Sequence, residues 1–335
     1  MPQKRPSTLR AGRVSYVSES LQRVCSVGNP RRQSVISRVL SEAAQGPELR
    51  THLLAEIGGL CGDRFVASFY TSFDHPDGGI RDQDAEMLSN LLNESPEAEK
   101  KGLLLLIDSP GGDPLAAERV IKVCREHSAG NFAVLVPGQA KSAATLIALG
   151  AKEIYLAETS ELGPIDVQVG WRGSLTPAYA ILEAYDELLA KGINLGPKKR
   201  IEPILQQLQF FDPSEMHALR QVNNLSVDIA VKALATGMLA GHTRAAITKL
   251  VGPFIEPKRH KTHGRPIYLK DILSYDKKGM LKMMPVPLHS PTWNKVSEYH
   301  IRVHGHMNAT PLVKLVESVD HSYFVTAQPE SDNAN

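Results

Sequence analysis

Residues 103–151 read LLLLIDSPGGDPLAAERVIKVCREHSAGNFAVLVPGQAKSAATLIALGA. Leu103–Asp108 is a continuous apolar run, the pattern of a strand covered on both faces. It ends in Asp108-Ser109-Pro110-Gly111-Gly112-Asp113. Asp113 is placed as an N-cap with Pro114 at the first helical position, so a helix is predicted to about Glu126. Phe132–Val136 is the next strand. Gly138-Gln139-Ala140-Lys141-Ser142-Ala143-Ala144 follows, then a short apolar helix over Ser142–Gly150 and a strand at Glu153–Leu156. This alternation predicts right-handed crossovers and a mainly parallel sheet. Two successive strand-to-loop-to-helix turns set bare glycine backbone beside one serine hydroxyl. A chain that builds an oxyanion hole next to a nucleophile has this form, and it points to acyl-transfer chemistry.

Outward from this core, Phe65–Tyr70 reads as a first strand, Asp74–Gly79 as a turn, and Arg81–Leu92 as a helix with Ala85, Leu88, Leu91 and Leu92 on one side. Gln33–Ile57 has helical spacing, broken near Gly46-Pro47, behind an irregular stretch over residues 1–30. After Gly170 the character becomes helical. Thr176-Pro177 caps a helix to about Lys191, Asp212-Pro213 with Glu215 caps one to about Met238, and Thr243–Leu250 continues the pattern. His260–Arg265 is a polar loop and Pro266–Ser274 a short helix. The last sixty residues are mixed, with a helix around Trp293–Val303, and Pro329–Asn335 reads as a disordered tail. The expected organisation is an N-terminal basic tail and helical segment (1–60), a catalytic domain (61–275) and a C-terminal extension (276–335).

Composition narrows the functional class. A net charge of +2 makes no case for a nucleic-acid partner. No stretch has the apolar length of a membrane span. The basic N-terminus, with Lys4, Arg5, Arg10 and Arg13, lacks the apolar segment of a secretory signal. The three cysteines, Cys25, Cys61 and Cys124, fall in no ligand spacing and read as reduced thiols of a cytoplasmic protein.

Ser142 opens an apolar helix, where orphan N–H groups and the helix dipole favour negative charge. The Ala143 amide is placed to donate to a developing oxyanion, and the small side chains at 143 and 144 leave room for a carbonyl. Taken alone, Ser142 is better read as an N-cap, the commonest role of serine at a helix start. Gly111 and Gly112 change that balance, because they let the main chain approach a ligand and supply further amide donors.

The order SPGG, GQAKSAAT, strand, then Leu162-Gly163-Pro164-Ile165-Asp166 resembles the Clp protease and signal-peptide-peptidase group of serine peptidases, with their ClpP/crotonase fold. The closest resemblance is to the serine dehydrogenase proteinase family. It runs from about Phe65 to Ser274, and its most specific parts are IDSPGGD, KSAATLIALGA, LGPID and Thr262-His263-Gly264-Arg265-Pro266-Ile267. The resemblance implies an α/β fold of ClpP/crotonase type, a mainly parallel sheet with flanking helices plus N- and C-terminal extensions. It also implies a serine endopeptidase with Ser142 as nucleophile, Asp166 as acid and His263 as base. Gly111 and Ala143 match the oxyanion-hole amides, with Gly112 adjoining. In Clp protease a histidine follows the strand after the nucleophile. Here Glu161–Gly170 has no histidine and offers Asp166, so the base comes from elsewhere.

A serine is a weak nucleophile until a base within hydrogen-bond reach takes its proton, and histidine suits that task near neutral pH. Among twelve histidines, His263 lies in a glycine-containing loop; His242 in Ala240-Gly241-His242-Thr243 is its rival and His260 a near neighbour. A lysine base is the other option, from Lys141, Lys152, Lys191 or Lys198, though Lys198-Lys199-Arg200 reads as a solvated charge run. His300, His304 and His306 have a spacing open to a metal, but no HExxH or Cys/His cluster accompanies them and an exposed helix face is expected. Trp171 is placed at the pocket rim or in the core. Gly62, Gly78-Gly79 and Gly111-Gly112 make no GxGxxG or Walker sequence, so no nucleotide or other cofactor is expected. The expected substrate is a peptide or unfolded protein, and the expected assembly a homo-oligomer packed through the helical region 176–250, any unfoldase being a separate chain. The competing readings are a crotonase-type acyl-CoA enzyme, which needs no serine nucleophile, and a catalytically silent scaffold.

Overall fold

The computed structural model describes residues 47–196, 200–255 and 262–327. The expected N-terminal tail, the first part of the Gln33–Ile57 helical segment, Lys198, His260 and the C-terminal tail lie outside them.

The elements run α1 (Pro47–Leu60), β1 (Phe65–Thr71), α2 (Asp82–Asn93), α3 (Glu97–Lys101), β2 (Leu103–Asp108), α4 (Pro114–Glu126), β3 (Phe132–Val136), β4 (Gln139–Ala140), α5 (Ala143–Leu149), β5 (Glu153–Leu156) and β6 (Glu161–Leu162). They continue with β7 (Gln168–Trp171), β8 (Ser174–Pro177), α6 (Ala178–Ile193), α7 (Glu202–Leu208), α8 (Pro213–Thr236), α9 (Arg244–Ile255), β9 (Ile267–Tyr268), α10 (Leu269–Tyr275), β10 (Met283–Pro285), α11 (Pro291–Ala309), β11 (Leu312–Ser318) and β12 (Ser322–Thr326). The starts of α4 and α8 follow their caps. The Asp113 carboxylate accepts from the Leu115 amide, and that of Asp212 from those of Ser214 and Glu215.

Seven strands form the central sheet in the order β10-β5-β3-β2-β1-β11-β12. The pairs from β10 to β1 are parallel, as expected; β11 and β12 add an antiparallel edge beside β1. Alternate side chains go to opposite faces. Phe65, Ala67, Phe69, Leu103, Leu105 and Ile107 meet α2, α4, α5, α8 and α9 on one side. Val66, Tyr70, Leu104, Leu106 and Leu135 meet α1 and α11 on the other. Burial on both faces is the physical reason β2 is apolar from Leu103 to Ile107.

The chain after residue 275, read above as an extension, thus supplies three of the seven strands and, through α11, much of one covering layer. Buried ion pairs pin it in place. Arg50 of α1 makes a forked contact to Glu317 of β11, 2.8 Å at the shortest, and Tyr299 of α11 donates to the same carboxylate. Lys314 reaches Asp84 at 2.6 Å and the Gly79 carbonyl at 2.7 Å.

Two local features depart from expectation. Gln168–Trp171 and Ser174–Pro177 form a hairpin that was not expected, and its second strand ends at Pro177, which is also the N-cap of α6 as the Thr176-Pro177 reading predicts. Its two-residue turn, Arg172-Gly173, has φ of +51° and +83°, as a primed turn requires. Ile267–Tyr268 pairs with β6 before α10 begins, so the expected helix at Pro266 starts three residues later.

Candidate active site

Ser142 joins β4 to α5 with φ +50° and ψ −116°. These are the angles of the first central residue of a type II′ turn, ordinarily glycine. Holding a serine there costs on the order of 1–3 kcal/mol. Its hydroxyl caps nothing in the helix, so capping does not explain the residue. The turn instead lifts the side chain off the end of a buried helix into a cavity of about 380 Å³ lined by Gly112, Ala143, Asp166, Gln168 and His263, among others.

The diglycine loop is built to touch this turn. Gly111 has φ +99°, and a Cβ placed on it would fall 2.5 Å from the Lys141 carbonyl oxygen and 2.7 Å from Ser142 Cβ. A Cβ on Gly112 would fall 2.2 Å from the Ile80 nitrogen. Both positions exclude a side chain on space as well as on φ. Ser109 is fully buried, takes a hydrogen bond from Thr71 at 2.8 Å and accepts the Gly111 amide at 3.2 Å. That leaves the Gly112 and Ala143 amides without an acceptor among the described residues.

Asp166 is buried at the end of the LGPID loop, and its Oδ1 lies 3.0 Å from His263 Nδ1. Gln168 donates to its other oxygen at 3.3 Å. Burial first, and then the Asp166 charge, push the neighbouring Tyr179 phenol above its ordinary pKa. The loop's position relative to Ser142 comes from Thr145 of α5. Its hydroxyl donates to the Ala140 and Gly163 carbonyls at 2.7 and 3.0 Å and accepts from the Gly163 amide. On the far side, the Ile165 amide binds the Phe254 carbonyl near the end of α9, the helix that leads toward His263. Thr145 escaped the sequence reading although it lies three residues beyond Ser142 in KSAAT.

The structure therefore brings Ser142, Asp166, His263, Gly112 and Ala143 to one cavity, with Gly111 packed beneath it. Ser142 and His263 line it together, without a hydrogen bond joining them. The rival bases among the described residues lie elsewhere. His242 is exposed, its Nδ1 against the Leu239 carbonyl. The Lys141 ammonium turns away to Glu161 at 2.5 Å, and Tyr268 donates to the same carboxylate. Lys152 is exposed, and Lys191 pairs with Glu187 on the surface of α6. Trp171 stacks on Phe211, 6.2 Å between ring centres, outside the cavity lining. His300, His304 and His306 are part-buried rather than on an exposed face: the first two turn to β1 and β2, while His306 lies toward Arg50 and Glu317.

A mainly parallel sheet layered between helices, with a serine turn facing a diglycine loop, defines a ClpP-like α/β protein. Residues 80–205 match the model of the ClpP-like SDH-type serine proteinases. Two uncharacterized proteins of Methanocaldococcus jannaschii are similar to it. MJ1495 is 37% identical over 103 residues, 31% of this chain and 33% of the relative. MJ0137 is 36% identical over 105 residues, 31% of this chain and 34% of the relative. The chain thus spans about a third of the length of these curated relatives. Among solved structures it is similar to a mutant of the 1510-N membrane-bound stomatin-specific protease, at 16% identity and a TM-score of 0.35, over 62% of this chain and 74% of that one.

Proposed function

We propose that the protein is a serine endopeptidase in which Ser142 is the nucleophile, His263 the general base and Asp166 the carboxylate that orients it. The observation that carries this reading is the 3.0 Å contact of His263 Nδ1 with Asp166 in the cavity that Ser142 enters from a strained turn. An ionised carboxylate only accepts, so Nδ1–H donates to it and Nε2 is left as the proton acceptor. Ser142 Oγ loses its proton to Nε2 as it attacks the substrate carbonyl carbon. The oxyanion of the tetrahedral adduct is received by the amides of Gly112 and Ala143. His263 then returns the proton to the leaving amine, and an activated water cleaves the acyl-enzyme by the same path. Gly111, expected among the donors, acts in this reading through shape, since its amide is engaged by Ser109. Bonds of the Ser–His kind commonly close only around bound substrate.

The substrate in this reading is a peptide or an unfolded segment. Self-association through residues 176–250 is supported by exposed apolar side chains such as Ile193 (81% exposed), Leu205 and Phe210. The unpaired thiols of Cys61 and Cys124 accord with a reducing compartment such as the cytoplasm, and no helix among the described residues is long and apolar enough to cross a membrane.

A fluorophosphonate probe tests the assignment. It is expected to label one residue, Ser142, with labelling and peptide hydrolysis both lost in Ser142→Ala. Labelling elsewhere, or acyl-CoA turnover that survives Ser142→Ala, overturns it.

A further inference from the structure

On the helical face opposite the one that packs α4 and α5, three ligating side chains converge. Asp108 ends β2, and His300 and His304 sit one turn apart on α11. One ligand atom from each lies within 4.8 Å of the others. Asp108 is 2% exposed. Its Oδ1 accepts the Gln139 amide at 2.6 Å, and its Oδ2 lies 2.9 Å from His304 Nε2. The His300 ring stands edge-on to that of His304, 4.4 Å between centres, and its Nδ1 is 3.3 Å from the Tyr70 hydroxyl.

Gly138 keeps the space between them open. A Cβ there would fall 2.6 Å from Asp108 Oδ1 and 3.2 Å from His300 Nε2. The His300 nitrogen not engaged by Tyr70 therefore faces the same small space as the carboxylate.

We propose that Asp108, His300 and His304 form a binding site for a divalent transition metal of the zinc class. The donor set is two imidazoles and one carboxylate, which suits zinc or cobalt and not the all-oxygen preference of calcium or magnesium. The surrounding contacts are those that orient metal ligands. Tyr70 Oη accepts from His300 Nδ1–H, leaving Nε2 with its lone pair. The Gln139 amide holds Asp108 Oδ1, leaving Oδ2 for the ion. His304 is 39% exposed at its side chain, which provides an entry path and room for a water as fourth ligand.

None of the three residues lines the Ser142 cavity. The site holds together what stands beneath it: Asp108 adjoins the Ser109–Gly112 loop, and Gln139 is three residues before Ser142. Its role is to clamp α11 to the roots of both loops, and it stands whether or not the peptidase assignment holds.

The test is cobalt titration of the full chain after chelator treatment. One Co(II) per chain is expected, with the visible absorption of a low-coordinate site, displaced by Zn(II). His300→Gln and His304→Gln are each expected to weaken binding at least about tenfold, whereas His217→Gln, on the exposed face of α8, leaves it unchanged. Since these variants disturb a packed region, the unaltered protein supplies a second readout: Zn(II) is expected to block modification of His304 by diethylpyrocarbonate and to raise the thermal midpoint. Cobalt binding as tight in His300→Gln and His304→Gln as in the parent, or His304 modification unaffected by saturating Zn(II), overturns the proposal.

Discussion

His263 Nδ1 stands 3.0 Å from Asp166 Oδ1 although the two residues are 97 positions apart. Among the described residues the contact spans the hairpin and four helices, and it gives His263 a defined ring orientation in the Ser142 cavity. Replacing Asp166 with Asn is expected to lower kcat about 10⁴-fold while leaving the fold intact, because an amide can hold the wrong tautomer. His263→Ala is expected to lose as much, with substrate KM little changed. Steady-state kinetics on both variants, alongside circular dichroism, checks the pair.

Ser142 sits in a backbone region that glycine adopts freely and serine only under strain. Ser142→Gly is therefore expected to stabilise the protein by about 1 kcal/mol while abolishing hydrolysis. Chemical denaturation of Ser142→Gly beside Ser142→Ala separates relief of strain from loss of the hydroxyl: only the glycine variant gains stability.

Gly111→Ala places a methyl 2.5 Å from the Lys141 carbonyl oxygen. The loop must move away from the Ser142 turn. A loss of about 2–4 kcal/mol in stability is expected, together with loss of fluorophosphonate labelling, measured by thermal unfolding and gel fluorescence.

Thr145→Val removes the hydroxyl that ties α5 to the LGPID loop and strands the Ala140 and Gly163 carbonyls. The expected cost is about 1–3 kcal/mol, with kcat falling because Asp166 and His263 lose their register with Ser142. Thr145→Ser, which keeps the hydroxyl, is expected to restore most of the rate.

Burial drives the Cys124 thiol from near 9 up to about 12, and burial likewise raises Cys61 to about 11. Both pKa values are raised in the folded state, so the stabilisation they confer is complete below pH 9 and falls as pH climbs through 9–12, where only the unfolded chain readily ionises. At pH 8 the expected alkylation of these two thiols is limited by opening of the fold, and mass mapping after iodoacetamide pulses reads it.

The α/β alternation from Phe65 to Leu156 was legible in the chain because its elements are encoded locally. Four leucines and an isoleucine in a row, Asp113-Pro114 at a helix start and SPGG after a strand each state their own geometry. Ser142, Gly111 and Gly112 were readable for the same reason, since turn chemistry lies within a few residues. The Arg172-Gly173 hairpin was overlooked, although a two-residue turn of that composition between short alternating runs is a usable signal. The base was not separable from His242 or a lysine by any local pattern.

The sequence by itself determined the alternation of strands and helices from Phe65 to Leu156 and the backbone shape of the two loops, because steric limits on φ and ψ act between neighbours. Only the tertiary structure decided that α11 and β11 complete the sheet, that His263, and no rival base among the described residues, shares the Ser142 cavity, and that Asp108 meets His300 and His304. Those are contacts between residues about a hundred or more positions apart, set by which faces must be covered from water, and no spacing along the chain records them.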